Sequence, residues 1–349
     1  LASARECLQT TLLRTRIDQV SKEVPTMPAL LRRFSKRQDA SAIIGGILLF
    51  VVFSVIDPSG WLSKMTLGSV FHFSAILGLL AMGEALVIIS KEIDLSLGSI
   101  YGLVGVAFIT LEAAFGVVGA FLTAMALALV LGWLNAFFTL RGNLPSMIVT
   151  LSTLFSYRGV VYVWTGGTTR SFSQAAREHW LTRIFGGEIF GIEIAIFWAL
   201  LILFVLNMVL HRMRSGNHLF AVGGDEKSAL SHGVNVVRTK TKAFMTAAGL
   251  AGLSGIMTLC DQPQTHVTLG QYMELEAIAS AVIGGCLLSG GRGSVIGAAI
   301  GAFIITSVRY QLIALGAPSS WFITFVGIVL IIAVIFNQTL SRSLRLSAK

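Results

Sequence analysis

Between residues 40 and 336 the chain alternates long apolar runs with short polar interruptions, and each run is of helical length. The runs lie at about 40–56, 69–89, 96–112, 117–138, 145–165, 189–210, 243–260, 274–288, 294–308 and 320–336. A bilayer core takes roughly 20 apolar residues of helix, so the pattern predicts ten spans. The interruptions carry turn chemistry. Asp57-Pro58-Ser59-Gly60 closes the first run, with Trp61 placed as an interfacial anchor. Arg141-Gly142-Asn143 closes the fourth, and Pro145 opens the fifth, where a missing N–H costs least. Residues 166–187 and Asp261–His266 read as polar loops on one side, and Arg309–Ser319 as a short connector. His211–Thr241 is the longest polar stretch between spans.

One interruption is more than a linker. Val87 to Gly102 places Lys91, Glu92 and Asp94 between two apolar runs, so it is either a tight polar turn at a membrane surface or a polar break inside one. Asp94 and Ser96 supply a helix start, and Gly98 and Gly102 permit close approach of a neighbouring helix. Shifted by 195 positions, Val87–Ile109 falls on Val282–Ile304 with eight identities in 23, among them Gly98/Gly293, Ser99/Ser294 and Gly102/Gly297. The second copy carries Ser289, Gly291 and Arg292. With six spans between them the copies form either a parallel repeat, a common way to build a transporter, or two Gly/Ala-rich membrane segments that align by composition.

Composition agrees with the pattern: 54% hydrophobic, 12% charged and a mean hydropathy of +0.79 describe an all-α polytopic membrane protein. The runs are too long and too uniformly apolar for an outer-membrane barrel. The net charge of +9 is an orientation signal and not a nucleic-acid footprint. Twenty Lys and Arg fall on the side of the termini against five on the other, which places both termini in the cytoplasm. The division expected is a basic lead at 1–39, a transmembrane domain at 40–337 with a cytoplasmic loop at 211–241, and a tail at 338–349. Cys7, Cys260 and Cys286 lack metal or disulfide spacing, and neither cofactor nor metal is expected.

Charges inside spans are the candidate chemistry, because each costs roughly 2.5–3.5 kcal/mol at a helix centre unless it faces protein or water. Glu84 and Arg158 either line a polar pathway or pair with another helix, whereas Glu112, Glu193, Glu274 and Glu276 lie near span ends and are expected to snorkel or hydrate. The chain has no Gly-Lys dipeptide and so no phosphate-binding loop. Gly252-Leu253-Ser254-Gly255 matches the serine motif of rhomboid-type proteases, but the only later histidine is His266, in a loop, and a small-residue packing face is the better reading. In the long polar stretch, Gly223-Gly224 reads as a turn, Asp225 as an N-cap, Glu226 as first-turn acid, Ala229 as helix interior and Gly233 as the stop. A helix that short does not persist alone in water, so the stretch either docks on a partner or is an ordinary connecting loop.

Four of these motifs together resemble the permease subunits of ribose/galactose/xylose-type ABC importers: Glu92–Ser99, Asn143–Leu151, Ala221–Glu226 and Leu288–Ser294. The resemblance runs from about residue 40 to 337. It implies a vitamin-B12-permease-like (type II) architecture, a second permease chain, cytoplasmic ABC ATPase subunits that dock on residues 223–233, and an extracytoplasmic binding protein that delivers a monosaccharide. ATP hydrolysis then belongs to the partner, and the pathway or gate involves Glu84, Asp94, Ser96, Gly98, Asn143, Arg158, Ser289, Gly291 and Arg292. Two departures are visible: Lys91-Glu92 stands where the family commonly has Gly-Gly, and the family's Asn near Arg309-Tyr310 is missing. The alternatives are an ABC permease for a non-sugar polar solute and a stand-alone ion-coupled transporter using Glu84.

Overall fold

The computed structural model describes residues 39–346. The expected basic lead, with Cys7, and the last three residues lie outside the described residues. Helices dominate. They are α1 (Ala40–Ile56), α2 (Pro58–Trp61), α3 (Lys64–Ile89), α4 (Leu97–Leu140), α5 (Ser146–Thr165), α6 (Gln174–Glu178), α7 (Trp180–Phe185), α8 (Ile194–Arg212), α9 (Arg214–Gly224), α10 (Glu226–Ser231), α11 (Val236–Asp261), α12 (Met273–Ile283), α13 (Val295–Ala314) and α14 (Ser319–Leu346). Six of them, α3, α4, α5, α8, α11 and α13, are long and apolar enough to cross a membrane. α4 is broken at Gly116 (φ 68°, ψ 170°), so its two arms correspond to two of the expected runs.

α3 is the centre of the bundle. From Ser74 onward every residue to Ile89 is buried, against α11, α12 and α13. The outer helices are apolar outward: Ile47 and Val55 on α1, Phe155 and Val163 on α5, Leu200 and Phe204 on α8 are all exposed. An apolar exterior around a small-residue, partly polar interior suits lipid as solvent. At one end, the segment between α5 and α8 forms β1 (Arg170–Ser171), paired antiparallel with β4 (Gln264–Thr265), and the hairpin β2 (Glu188–Ile189) and β3 (Ile192–Glu193). Phe190 and Gly191 both take positive φ, which is what a two-residue hairpin loop requires.

Several boundaries differ from the sequence pattern. The run at 274–288 contains a helix of only 11 residues, because the glycines at 284–285 end it early. Arg309 belongs to α13 and not to a connector, and α14 continues as helix through the expected tail to Leu346. Trp61 is fully buried, edge-on to Phe50 and Phe53, instead of anchoring at an interface. Gly223 and Gly224 close α9 rather than forming a free turn; the chain reverses at Asp225 (φ −154°, ψ 110°).

Candidate functional site

The turn between α3 and α4 folds back into the protein and buries two carboxylates. Asp94 and Glu84 have no exposed surface. The Asp94 N–H donates to Glu84 Oε1 (3.2 Å), and Asp94 Oδ1 accepts from the Ser96 N–H (2.9 Å) and hydroxyl (2.6 Å). Ser96 therefore spends its hydroxyl on Asp94 and does not cap α4, contrary to the expected helix start. From the far arm of α4, Asn135 Nδ2 reaches Ser96 Oγ (2.7 Å) and Asp94 Oδ2 (3.2 Å), and Asn135 Oδ1 accepts from the Tyr157 hydroxyl of α5 (3.2 Å). α5 also clasps the turn's backbone: the Ile93 N–H donates to Ser146 Oγ (3.3 Å) and its carbonyl accepts from Thr150 (3.3 Å). Glu84 Oε2 is buried without a partner. The turn thus buries Asp94 and Ser96 while Lys91 stays exposed.

Arg158 lies on α5 facing protein. Its guanidinium donates to the carbonyls of Leu269 (2.5 Å) and Gly98 (3.3 Å), pinning the 266–272 loop to the start of α4. Gly98 permits this: a Cβ there would overlap the Glu274 carboxylate and the Gly270 carbonyl. What approaches Gly98 is the loop at Gly270 together with Glu274 in the first turn of α12. Arg158, Tyr162, Glu274, Leu151 and Phe155 line a cavity of about 430 Å³. Glu274 and Glu276 are buried, so they do not snorkel; Glu276 pairs with Arg309, whose guanidinium lies 4.1 Å above the Phe322 ring.

At the end opposite the hairpin, both copies of the repeat meet the long polar stretch. The Gly291 N–H donates to the Ile89 carbonyl (2.9 Å), so the 90–96 and 284–294 turns lie at the same end. α9 packs into this junction so closely that a Cβ on Gly223 would overlap the Ile89 carbonyl and come within 2.6 Å of the Gly291 nitrogen. Arg292 contributes a carbonyl, which accepts from Leu287 N–H (3.0 Å), while its side chain is exposed; Ser289 is half-buried. Asn143, at φ 51°, is exposed in the α4–α5 turn, outside the buried network.

α10 follows immediately. Asp225 caps it through Oδ1, which accepts from the Ser228 N–H (2.7 Å), and Gly233 takes φ 78° just past its end. The helix proper is Glu226–Ser231, held by a small cluster of Ala229, Val222 and Val234. Lys240, buried on α11, puts its ammonium 2.5 Å from Glu226 and 2.6 Å from Glu92.

Sequence reasoning did not find Asn135, Tyr157 or Lys240. An Asn or Tyr in an apolar run is unremarkable by itself, and Lys240 stands between Arg238 and Lys242 at the start of α11, where nothing in the sequence sets it apart. The protease motif resolves as packing: the Ser254 hydroxyl donates to the Ile76 carbonyl (2.8 Å), and His266 is exposed. At the hairpin end, His72 lies between Asp261 (Nε2, 3.4 Å) and Glu193 (Nδ1, 3.9 Å). One ring nitrogen of His72 and one carboxylate oxygen each from Glu193 and Asp261 lie within 4.8 Å of one another, so the three could hold a metal ion where α3, β3 and the end of α11 meet. Glu193, at the start of α8, has its carboxyl pushed up by burial and by the neighbouring Asp261 and Glu188 charges.

A helical bundle with an apolar exterior, buried carboxylates and two polar turns gathered at one end has the make-up of a multi-pass membrane permease. Residues 66–334 match the family described as branched-chain amino acid transport system / permease component, and the chain belongs to that family. It is 30% identical to the autoinducer 2 import system permease protein LsrC of Salmonella typhi over 317 residues, 90% of each chain. It is 31% identical to the same-named protein of Escherichia coli O9:H4 (strain HS) over 313 residues, 89% of this chain and 90% of that one. No solved structure matches it. The chain is a transport subunit of an ABC importer and not an enzyme, and its family implies ATPase and substrate-binding-protein partners.

Proposed function

We propose that the chain pairs with a second permease chain to form the membrane pathway of a type II importer, with ten spans and both termini in the cytoplasm, for a monosaccharide or a similar polar solute. The substrate reading rests on the four-motif resemblance and on relatives whose names carry import of autoinducer 2. The junction of Gly223, Ile89 and Gly291 carries the mechanical part: one short segment touches both repeat turns, so force delivered there reaches both halves of the bundle. In this reading Gly223, Gly224, Asp225, Glu226, Ala229 and Gly233 couple the chain to the ATPase. Glu84, Asp94, Ser96 and Gly98 hold the gate, and Arg158 borders the pathway. Ser289, Gly291 and Arg292 form the second turn's share of the gate, and Asn143 shapes the entry to α5.

The test is uptake into proteoliposomes holding the permease with its ATPase and binding protein. Uptake of a labelled pentose or hexose that requires internal ATP and ignores an imposed ion gradient supports the reading. Uptake driven by the gradient alone overturns it in favour of a stand-alone carrier using Glu84.

A further inference from the structure

We propose that Lys240 is a positioning residue that ties α10 to the 90–96 turn, so that displacing α10 displaces the buried carboxylate network. The proposal rests on the reading of residues 223–233 as the point of energy input. Three elements meet at one ammonium. Lys240 belongs to α11 and is 3% exposed, Glu226 opens α10, and Glu92 stands two residues before Asp94. Both contacts are short, 2.5 and 2.6 Å, as charge-assisted bonds are.

Little else fastens α10. Its one buried side chain is Ala229, in a satellite cluster with Val222 and Val234. The ammonium also separates two carboxylates that would otherwise face each other, so removing it exchanges attraction for repulsion. Beyond Glu92 the linkage is rigid: Lys91 holds φ 69°, Ile93 is clasped by Ser146 and Thr150, and Asp94 is bonded to Glu84. Movement of α10 away from α11 must therefore break the Glu226 contact or pull α11 and Glu92 with it. The first outcome frees the turn and the second drags it; either changes the network around Asp94.

The readout is molecules of labelled sugar imported per ATP hydrolysed, in proteoliposomes with the full complex. Glu226→Gln, Glu92→Gln and Lys240→Gln are each expected to lower that ratio about tenfold, a size in keeping with loss of a buried charge-assisted contact. Lys240→Arg should restore most of it, because a guanidinium can still serve both carboxylates. Glu226→Gln combined with Lys240→Gln should fall no further than Lys240→Gln alone, since both act through one contact. Glu226 is half exposed, so its variant keeps the test open should the Lys240 variants fail to fold.

Ala229→Pro separates this proposal from the reading beneath it. If Ala229→Pro uncouples import from hydrolysis while Glu226→Gln and Glu92→Gln keep the normal ratio, the Lys240 linkage is wrong and the energy-input reading stands. If Ala229→Pro itself keeps the normal ratio, that reading fails and the linkage falls with it.

Discussion

Asn135 ties the buried Asp94 turn to α5, because it bonds Asp94 and Ser96 with its amide nitrogen and Tyr157 with its oxygen. Asn135→Leu leaves a buried carboxylate short of a donor and should destabilise the fold by about 1–3 kcal/mol. Tyr157→Phe takes the donor from Asn135 Oδ1 but leaves the bonds of the Asn135 amide nitrogen to Asp94 and Ser96, and should cost about 1 kcal/mol, the low end of that range. Thermal unfolding of the two variants in detergent, compared with the parent, checks the order; equal losses would mean that Asp94 does not depend on Asn135. Arg158 holds its two carbonyls with a planar fork, which an ammonium cannot reproduce. Arg158→Lys should therefore loosen the 266–272 loop, read as faster thiol labelling of a cysteine placed at His266; unchanged labelling would show that the loop is held by other contacts. Glu84, Asp94 and Arg158 were legible in the sequence because a charge in an apolar run announces itself. Asn135 and Tyr157 were not, since their importance comes from what the fold brings opposite them.

The helices show the same division between what local chemistry states and what packing adds. The cap at Asp225 and the left-handed stop at Gly233 were readable because both act within a few residues. The role of Gly223 was not, because its lack of a side chain serves a contact with Ile89, more than a hundred residues away. Ala229→Pro removes the N–H that donates to the Asp225 carbonyl (2.9 Å) and costs roughly 3 kcal/mol in a helix interior. It should leave membrane insertion intact and uncouple ATP hydrolysis from uptake; transport and hydrolysis both at parental rates would show that energy enters elsewhere. On α4, Gly98→Ala forces a methyl into the Glu274 carboxylate and the Gly270 carbonyl, and overpacking of that kind costs about 1–3 kcal/mol. Gly159→Ala on α5 meets nothing within 4 Å and serves as its control. A lower unfolding midpoint is expected for Gly98→Ala only, and a parental midpoint there would mean that the loop yields to the methyl.

Across the whole molecule, the apolar runs identified the helices well, since length and hydropathy are properties of the local chain. They were least informative at α12, where glycines shorten the helix, and at α13, which extends past the basic residue taken as its end. The charge distribution makes a separate claim, about which end faces the cytoplasm. The end formed by α9, α10 and the two turns carries most of the described Lys and Arg outside the spans, whereas the hairpin end carries Lys64, Arg170, Arg177 and Arg183. Positive charge is retained on the cytoplasmic side during insertion, so the α9–α10 end should face inward. Cysteine replacement tests this with two positions: Phe190, almost fully exposed at the tip of the β2–β3 hairpin, and Asn217, exposed on α9. The native cysteines are first replaced by alanine, Cys286 being buried and Cys260 half-buried. A membrane-impermeant maleimide added to intact cells should label Phe190→Cys and spare Asn217→Cys, and permeabilisation should expose both. The opposite pattern would put α10 outside, beyond the reach of any cytoplasmic ATPase, and would remove both the energy-input reading and the Lys240 linkage built on it.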